Sequence, residues 1–259
     1  MFQPDFQELA DPQGPRWTRH LLAQRWERFT AGEHEVWDRL FARQLSHLGG
    51  RIVGPFFDGI DRLGLDRPGI PELARLNTDL EPLTGWQLVS VAGLVPDDIF
   101  FAMLADRTFP IGNFIRGADC LDYLEQPDCF HDIFGHVPML ADPAMARLME
   151  ALGRLGVEAI AAGLGDTIAR IYWHSVEFGL AHEGGEVKIL GAGLASSFGE
   201  SHFALEAGVA RPRFTLRDAA ATSYRSDAFQ PLYFVSDSLE SVADQLEVLN
   251  LDGLRRLAG

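Results

Sequence analysis

The sequence predicts a predominantly α-helical α+β domain, and three observations carry that prediction. Apolar residues recur at helical spacing over several long stretches. Short alternating or β-branched runs at Gln87–Val91, 187–190 and 232–235 interrupt them as strands. No internal repeat or low-complexity linker divides the 259 residues, which are 47% hydrophobic and can enclose one large core.

Taken in order, residues 1–15 hold Pro4, Pro12, Gly14 and Pro15 and read as an irregular arm ahead of a single domain over 16–259. Helical periodicity over 17–48 carries the stripe Trp37, Leu40, Phe41 and Leu45 and is closed by Gly49-Gly50. A second helix over 70–80 is entered through Pro68-Gly69. Pro96-Asp97-Asp98 opens a helix through Ala105, with proline early and acids in the first turn. Pro127-Asp128 introduces another, which Gly135 and Pro138 are expected to curtail. Asp142-Pro143 opens a long helix to Ala162, Asp166 caps one through His182, and residues 238–249 close the chain.

Composition excludes several function classes. The formal charge of -15 argues against nucleic acid and anionic lipid, which both need a basic surface. The opening Met1-Phe2-Gln3-Pro4 lacks a basic start and an apolar core, and no run approaches the roughly 18 apolar residues of a membrane span. Cys120 and Cys129 are too few for a disulfide framework and read as reduced thiols, so the expected location is the cytoplasm.

One segment carries metal-ligand chemistry. His131 and His136 are five apart, about 140° from one another on an ideal helix, so a regular helix would not aim both at one point. Gly135 and Pro138 let the backbone leave that geometry. The spacing differs from H-E-x-x-H, and Asp132 is not where zinc-protease chemistry places its base. Glu177, a carboxylate in the apolar run 171–180, is costly there unless paired or metal-bound, and is the best third ligand. Two histidines and a carboxylate on one face of an iron(II) ion leave the other face open for oxygen and a co-reactant. The ordinary alternatives are core or surface histidines and a glutamate paired with an arginine, and spacing alone leaves both readings open. His20, His34, His47, His182 and His202 lack any such context.

Five ordered blocks resemble the pterin-dependent aromatic amino acid hydroxylases, most closely their short bacterial members that act on phenylalanine. They are Val91-Ala-Gly-Leu-Val-Pro96, Pro127-Asp-Cys-Phe-His-Asp-Ile-Phe-Gly-His-Val-Pro138, Tyr172-Trp-His-Ser-Val-Glu-Phe-Gly-Leu180, Gly191-Ala-Gly-Leu-Ala-Ser-Ser-Phe-Gly-Glu200 and Phe229-Gln-Pro-Leu-Tyr-Phe-Val235. The resemblance implies a basket-like catalytic domain, acting as a monomer, with iron(II) and a tetrahydropterin (tetrahydrobiopterin or a relative). It matches His131, His136 and Glu177 to the iron ligands. It matches Gly93, Leu94 and Val95 to the loop meeting the pterin edge, and Phe100 to the ring that stacks on it. Asp132, Ala169 and Tyr172 match further positions on the pterin side.

For the substrate, the resemblance matches Arg116 to the clamp on the α-carboxylate, and its planar fork suits that task. Pro127, Trp173 and Phe178 match positions shaping the ring pocket, and Ser196 matches a serine near substrate and a ligand histidine. The large Trp173 indole favours a phenylalanine-sized substrate. The implied reaction converts L-phenylalanine to L-tyrosine with O2 and reduced pterin. Its rivals are a tryptophan 5-hydroxylase, a phenylalanine 3-hydroxylase and a zinc hydrolase using the same ligands. The chain departs from the common pattern at Leu124, His174, where phenylalanine or tyrosine is usual, and Leu190.

Overall fold

The computed structural model describes residues 13–122 and 126–259. The expected irregular arm therefore lies largely outside the described residues, as does Leu124. The first long helix is shorter than its periodicity suggested. Residues Arg16–His20 and Trp26–Arg28 form separate 3-10 turns, with strand β1 (Leu21–Leu22) between them, and α1 runs only over Ala31–Leu48. The reason is local: Thr30 and Glu33 form a reciprocal capping box, each side chain bonding the other's backbone N–H, which fixes the helix start at Ala31. Leu21 and Leu22 instead pair with Val91 and Ser90.

The elements continue as α2 (Gly54–Arg62), α3 (Leu73–Thr84), β2 (Gln87–Val91), α4 (Asp97–Ala105) and β3 (Thr108–Gly112). Neither α2 nor β3 was expected. β3 contains Pro110 and is buried at every position, so it shows no alternation. The first sheet has the order β1-β2-β3, with β1 antiparallel and β3 parallel to β2. The parallel pairing carries Phe109 and Gly112 alongside Leu88 and Val91, and so delivers the chain to the site.

The helix expected after Asp128 is not curtailed. It passes through a wide π turn at His131–His136 directly into α5 (Val137–Leu140), whose second residue is Pro138. Asp142 caps α6 (Pro143–Ala161) by accepting from the N–H groups of Ala144 and Met145. α7 (Gly165–Tyr172) follows Leu164, so Asp166 lies in its first turn and is not its cap. It widens into a second π turn, Trp173–Glu177, and stops there; His182 belongs to a strand. β4 (Leu180–Glu183) turns through Gly184-Gly185 into β5 (Glu186–Ile189).

The chain closes with α8 (Ala192–Ser196), α9 (Phe198–Phe203), α10 (Leu216–Ala221), β6 (Val235–Ser236), α11 (Leu239–Glu247) and α12 (Leu251–Ala258). The strand expected over 232–235 pairs regularly only at its end, where β6 runs parallel to β4 in the sheet β5-β4-β6; Leu232 makes an isolated bridge to Ala210. α6 packs against both α4 and α11, and one buried apolar cluster extends from Val36 to Leu254. Among the described residues, no helix is long and apolar enough to cross a membrane.

Candidate metal centre

In a π turn the hydrogen bonds run from i to i+5, so residues five apart stack on one face. The turn at His131–His136 thereby does what an α-helix cannot: the two Nε2 atoms come within 3.3 Å. Gly135 contributes by closeness, not by ending the helix. A Cβ there would lie 2.8 Å from the carbonyl oxygen of Ala192, so glycine lets α8 approach the turn. The second π turn, marked by the Phe178 N–H bonding the Trp173 carbonyl at 2.9 Å, ends on Glu177. Its carboxylate oxygens stand 3.1 Å from His136 Nε2 and 3.7 Å from His131 Nε2.

One donor atom from each of His131, His136 and Glu177 lies within 4.8 Å of the other two. Hydrogen bonding sets the tautomer of the first histidine. The Ser196 hydroxyl donates its one proton to the Ala192 carbonyl at 2.9 Å and so accepts from His131 Nδ1 at 2.8 Å. The lone pair of His131 is then on Nε2, facing the other two donors. Burial, helped by His136, lowers the His131 pKa to about 4, against the pull of Glu177, so the imidazole is neutral near pH 7. Burial alone would raise the Glu177 carboxyl. His136, His131 and the Tyr172 hydroxyl outweigh it and bring the pKa to about 2. Two imidazoles and an ionised carboxylate converging from one side suit a divalent transition metal, and the 2-His-1-carboxylate set suits non-haem iron(II) in particular.

Several of the other residues the sequence singled out interact with the triad directly, among them Ser196, Asp132 and Tyr172. The Phe100 ring meets Tyr172 edge-on at 5.3 Å, and the Tyr172 hydroxyl is near enough to the Glu177 carboxylate for each to shift the other's pKa. Asp132 accepts from the Gly112 N–H at 2.7 Å; burial nevertheless pushes its pKa up to about 7. Gly93, Leu94 and Val95 form the loop from β2 to α4, with Gly93 beside Phe114, which also borders Gly112. Leu94 is 68% exposed and Val95 packs on the small Val91, Ile99 and Met103 cluster, so the loop can offer the site mainly backbone. Ala169 lies one turn ahead of Tyr172 on α7.

Arg116 lies inside the protein, beside the first ligand histidine's own segment. It is buried, and its Nε and Nη2 grip the fully buried Asp128 at 2.9 and 2.8 Å, while Asp128 also accepts the His131 N–H. Burial pushes the Asp128 carboxyl up, but the Arg116 guanidinium holds its pKa below the ordinary value. Pro127 directly precedes this pair, and Trp173 stacks on Phe178 at 4.6 Å. Two residues escaped the sequence reading. Asp128, which joins Arg116 to a ligand histidine, is signalled only by its place three residues before His131. Tyr224, stacked on Trp173 at 4.1 Å, has no local signal at all.

Comparison with known proteins agrees with this geometry. The family profile "Biopterin-dependent aromatic amino acid hydroxylase" matches residues 27–256. The phenylalanine-4-hydroxylase of Caulobacter vibrioides is 48% identical over 89% of this chain and 78% of its own length. That of Ralstonia nicotianae is 47% identical over 84% of this chain and 70% of its own. The crystal structure of Chromobacterium violaceum phenylalanine hydroxylase with iron(III) and 7,8-dihydrobiopterin superposes with a TM-score of 0.86 at 41% identity, covering 92% of this chain and 85% of that one. With the profile spanning most of the chain, this protein belongs to the biopterin-dependent aromatic amino acid hydroxylases.

Proposed function

We propose that this protein is a monooxygenase converting L-phenylalanine to L-tyrosine with O2 and a tetrahydropterin, at an iron(II) ion held by His131, His136 and Glu177. The observation that carries the reading is the convergence of those three donors within 4.8 Å, in a chain of this family. Bound iron and reduced pterin supply the activation of O2.

The protein's own residues supply placement. Ser196 holds the His131 lone pair toward the metal, and the nearby Tyr172 hydroxyl helps keep the Glu177 carboxylate ionised. Asp128 anchors Arg116 by two of its nitrogens. Its remaining Nη1, 3.3 Å from the Leu121 carbonyl, is the nitrogen best placed to meet the α-carboxylate of an amino acid. Phe100 offers a ring for the flat pterin, Asp132, Ala169 and the backbone of Gly93, Leu94 and Val95 border it, and Pro127, Trp173 and Phe178 shape the pocket for the phenyl ring. The reading extends to one catalytic domain over 16–259, working as a cytoplasmic monomer on small molecules; the net charge of -15 disfavours nucleic acid and anionic lipid.

The test is mass-spectrometric product identification with iron(II), tetrahydropterin and O2, offering L-phenylalanine, L-tyrosine and L-tryptophan together. L-Tyrosine formed from L-phenylalanine is expected. meta-Tyrosine or 5-hydroxytryptophan as the main product replaces the assignment within the family, and turnover under strict anaerobiosis removes the oxygenase class altogether.

A further inference from the structure

The Trp173 indole is held in an unusual way. Its Nε1 is buried without a hydrogen-bond partner among the described residues, so no polar contact fixes the ring. Orientation therefore falls to its ring neighbours: Phe178 at 4.6 Å and 28°, and Tyr224 at 4.1 Å and 13°. Two rings so nearly parallel to one indole cannot share a face without touching each other. Phe178 and Tyr224 thus cover opposite faces. Phe178 follows Trp173 along the chain, whereas Tyr224 arrives from the distant loop 222–229.

That loop has one device for its shape and others for its position. Its shape is set by the buried Gln230, whose amide donates to the carbonyls of Arg225 at 2.6 Å and Ala228 at 3.1 Å, while its N–H bonds Glu200. Its start at Thr222 is tied back to α10 through Asp218, and to the segment carrying Trp173 through His174. Nε2 of His174 lies 3.1 Å from the Thr222 carbonyl oxygen, which can only accept, so Nε2 carries the proton. The imidazole is itself immobilised, 2% exposed and edge-on to Phe234 at 5.3 Å. A phenyl ring at position 174 would have no donor for Thr222.

We propose that His174 and Tyr224 form a latch that fixes the Trp173 indole, so that loop 222–229 takes part in selecting the aromatic ring of the substrate. Both are positioning residues: His174 helps set where the loop lies, and Tyr224 transmits that placement to Trp173 by stacking. The substrate consequence rests on the proposed hydroxylation of L-phenylalanine; the latch itself does not.

The experiment therefore has two arms, on iron-loaded protein. Hydrogen exchange of the amides over 222–229 reads the latch directly. His174→Phe, which keeps a ring but removes the donor, is expected to speed exchange there about tenfold while α6 and α11 are unchanged. Steady-state kinetics reads the consequence. Tyr224→Leu is expected to raise KM for L-phenylalanine about 3- to 10-fold and to raise the relative turnover of L-tryptophan, leaving KM for pterin and kcat within about twofold. Tyr224→Phe, which keeps the ring, restores wild-type values. Unchanged exchange in His174→Phe overturns the latch, and an unchanged KM and substrate ratio in Tyr224→Leu overturns its part in selectivity. A faster-exchanging loop in a protein that does not hydroxylate L-phenylalanine leaves the latch standing and overturns the hydroxylase reading instead.

Discussion

Replacing Ser196 by alanine removes one oxygen atom and should weaken metal binding through a residue that touches no metal. In the wild-type protein the Ser196 hydroxyl is buried, accepts from His131 Nδ1 at 2.8 Å and spends its own proton on the Ala192 carbonyl. Ser196→Ala leaves a buried imidazole N–H without its acceptor, at a cost of about 1–3 kcal/mol. It also frees the ring to take the other tautomer, in which Nε2 is protonated and cannot ligate. Loss of such an outer partner typically weakens metal affinity about 10- to 100-fold. The two figures agree, because a tenfold change corresponds to about 1.4 kcal/mol. The assay is anaerobic competition for iron(II) or cobalt(II) against a chromophoric chelator, with thermal unfolding of apo and metal-loaded protein in parallel. The metal-induced rise in Tm should shrink together with the affinity. A metal Kd within about twofold of wild type refutes the tautomer argument.

Other perturbations separate the remaining roles. Glu177→Gln keeps the shape of the third ligand but removes its charge, and should abolish stoichiometric iron while the apo protein keeps its far-UV circular dichroism; retained iron by metal analysis contradicts the ligand assignment. Arg116→Lys keeps a cation beside Asp128 but loses the two-pronged grip, and should raise KM for L-phenylalanine by about tenfold with little effect on KM for pterin. Gly191→Ala would place a Cβ 2.2 Å from the Glu177 carbonyl oxygen, and should cost about 1–3 kcal/mol in urea unfolding and loosen the metal as well. Acid sensitivity should trace partly to Asp128. Its folded pKa lies below that of an ordinary aspartate, so its contribution to stability is present above the unfolded pKa and fades as pH falls through the folded one. Asp128→Asn should therefore lower apo stability at pH 7 but flatten its fall below about pH 4, as read from urea midpoints across pH.

Elements with local signals were legible in the sequence. Strand β2 alternates, Pro96 and the two aspartates start α4, Asp142 caps α6, and Ser238 caps α11 through a capping box with Ser241. The boundaries of α1 and α7 were misjudged because periodicity extends beyond the point where a cap or a strand pairing takes over. β3 was missed because its partner, not its own pattern, makes it a strand.

At the site, residue type made His131, His136 and Glu177 candidate ligands, since an acid in an apolar run needs a partner, but spacing alone left core histidines and an arginine-paired glutamate equally open. How histidines five apart could face one point was not legible. The sequence suggested a broken helix at Gly135, and tertiary packing instead imposes a π turn, because α8 presses against that glycine and holds the wider coil in place. Likewise the burial of Arg116 on Asp128, the tautomer set by Ser196 and the sandwich of Trp173 between Phe178 and Tyr224 join residues from separate elements. Residue type and spacing determine what chemistry a chain can perform. Only packing between distant segments, whose energy no local pattern records, decides which atoms meet.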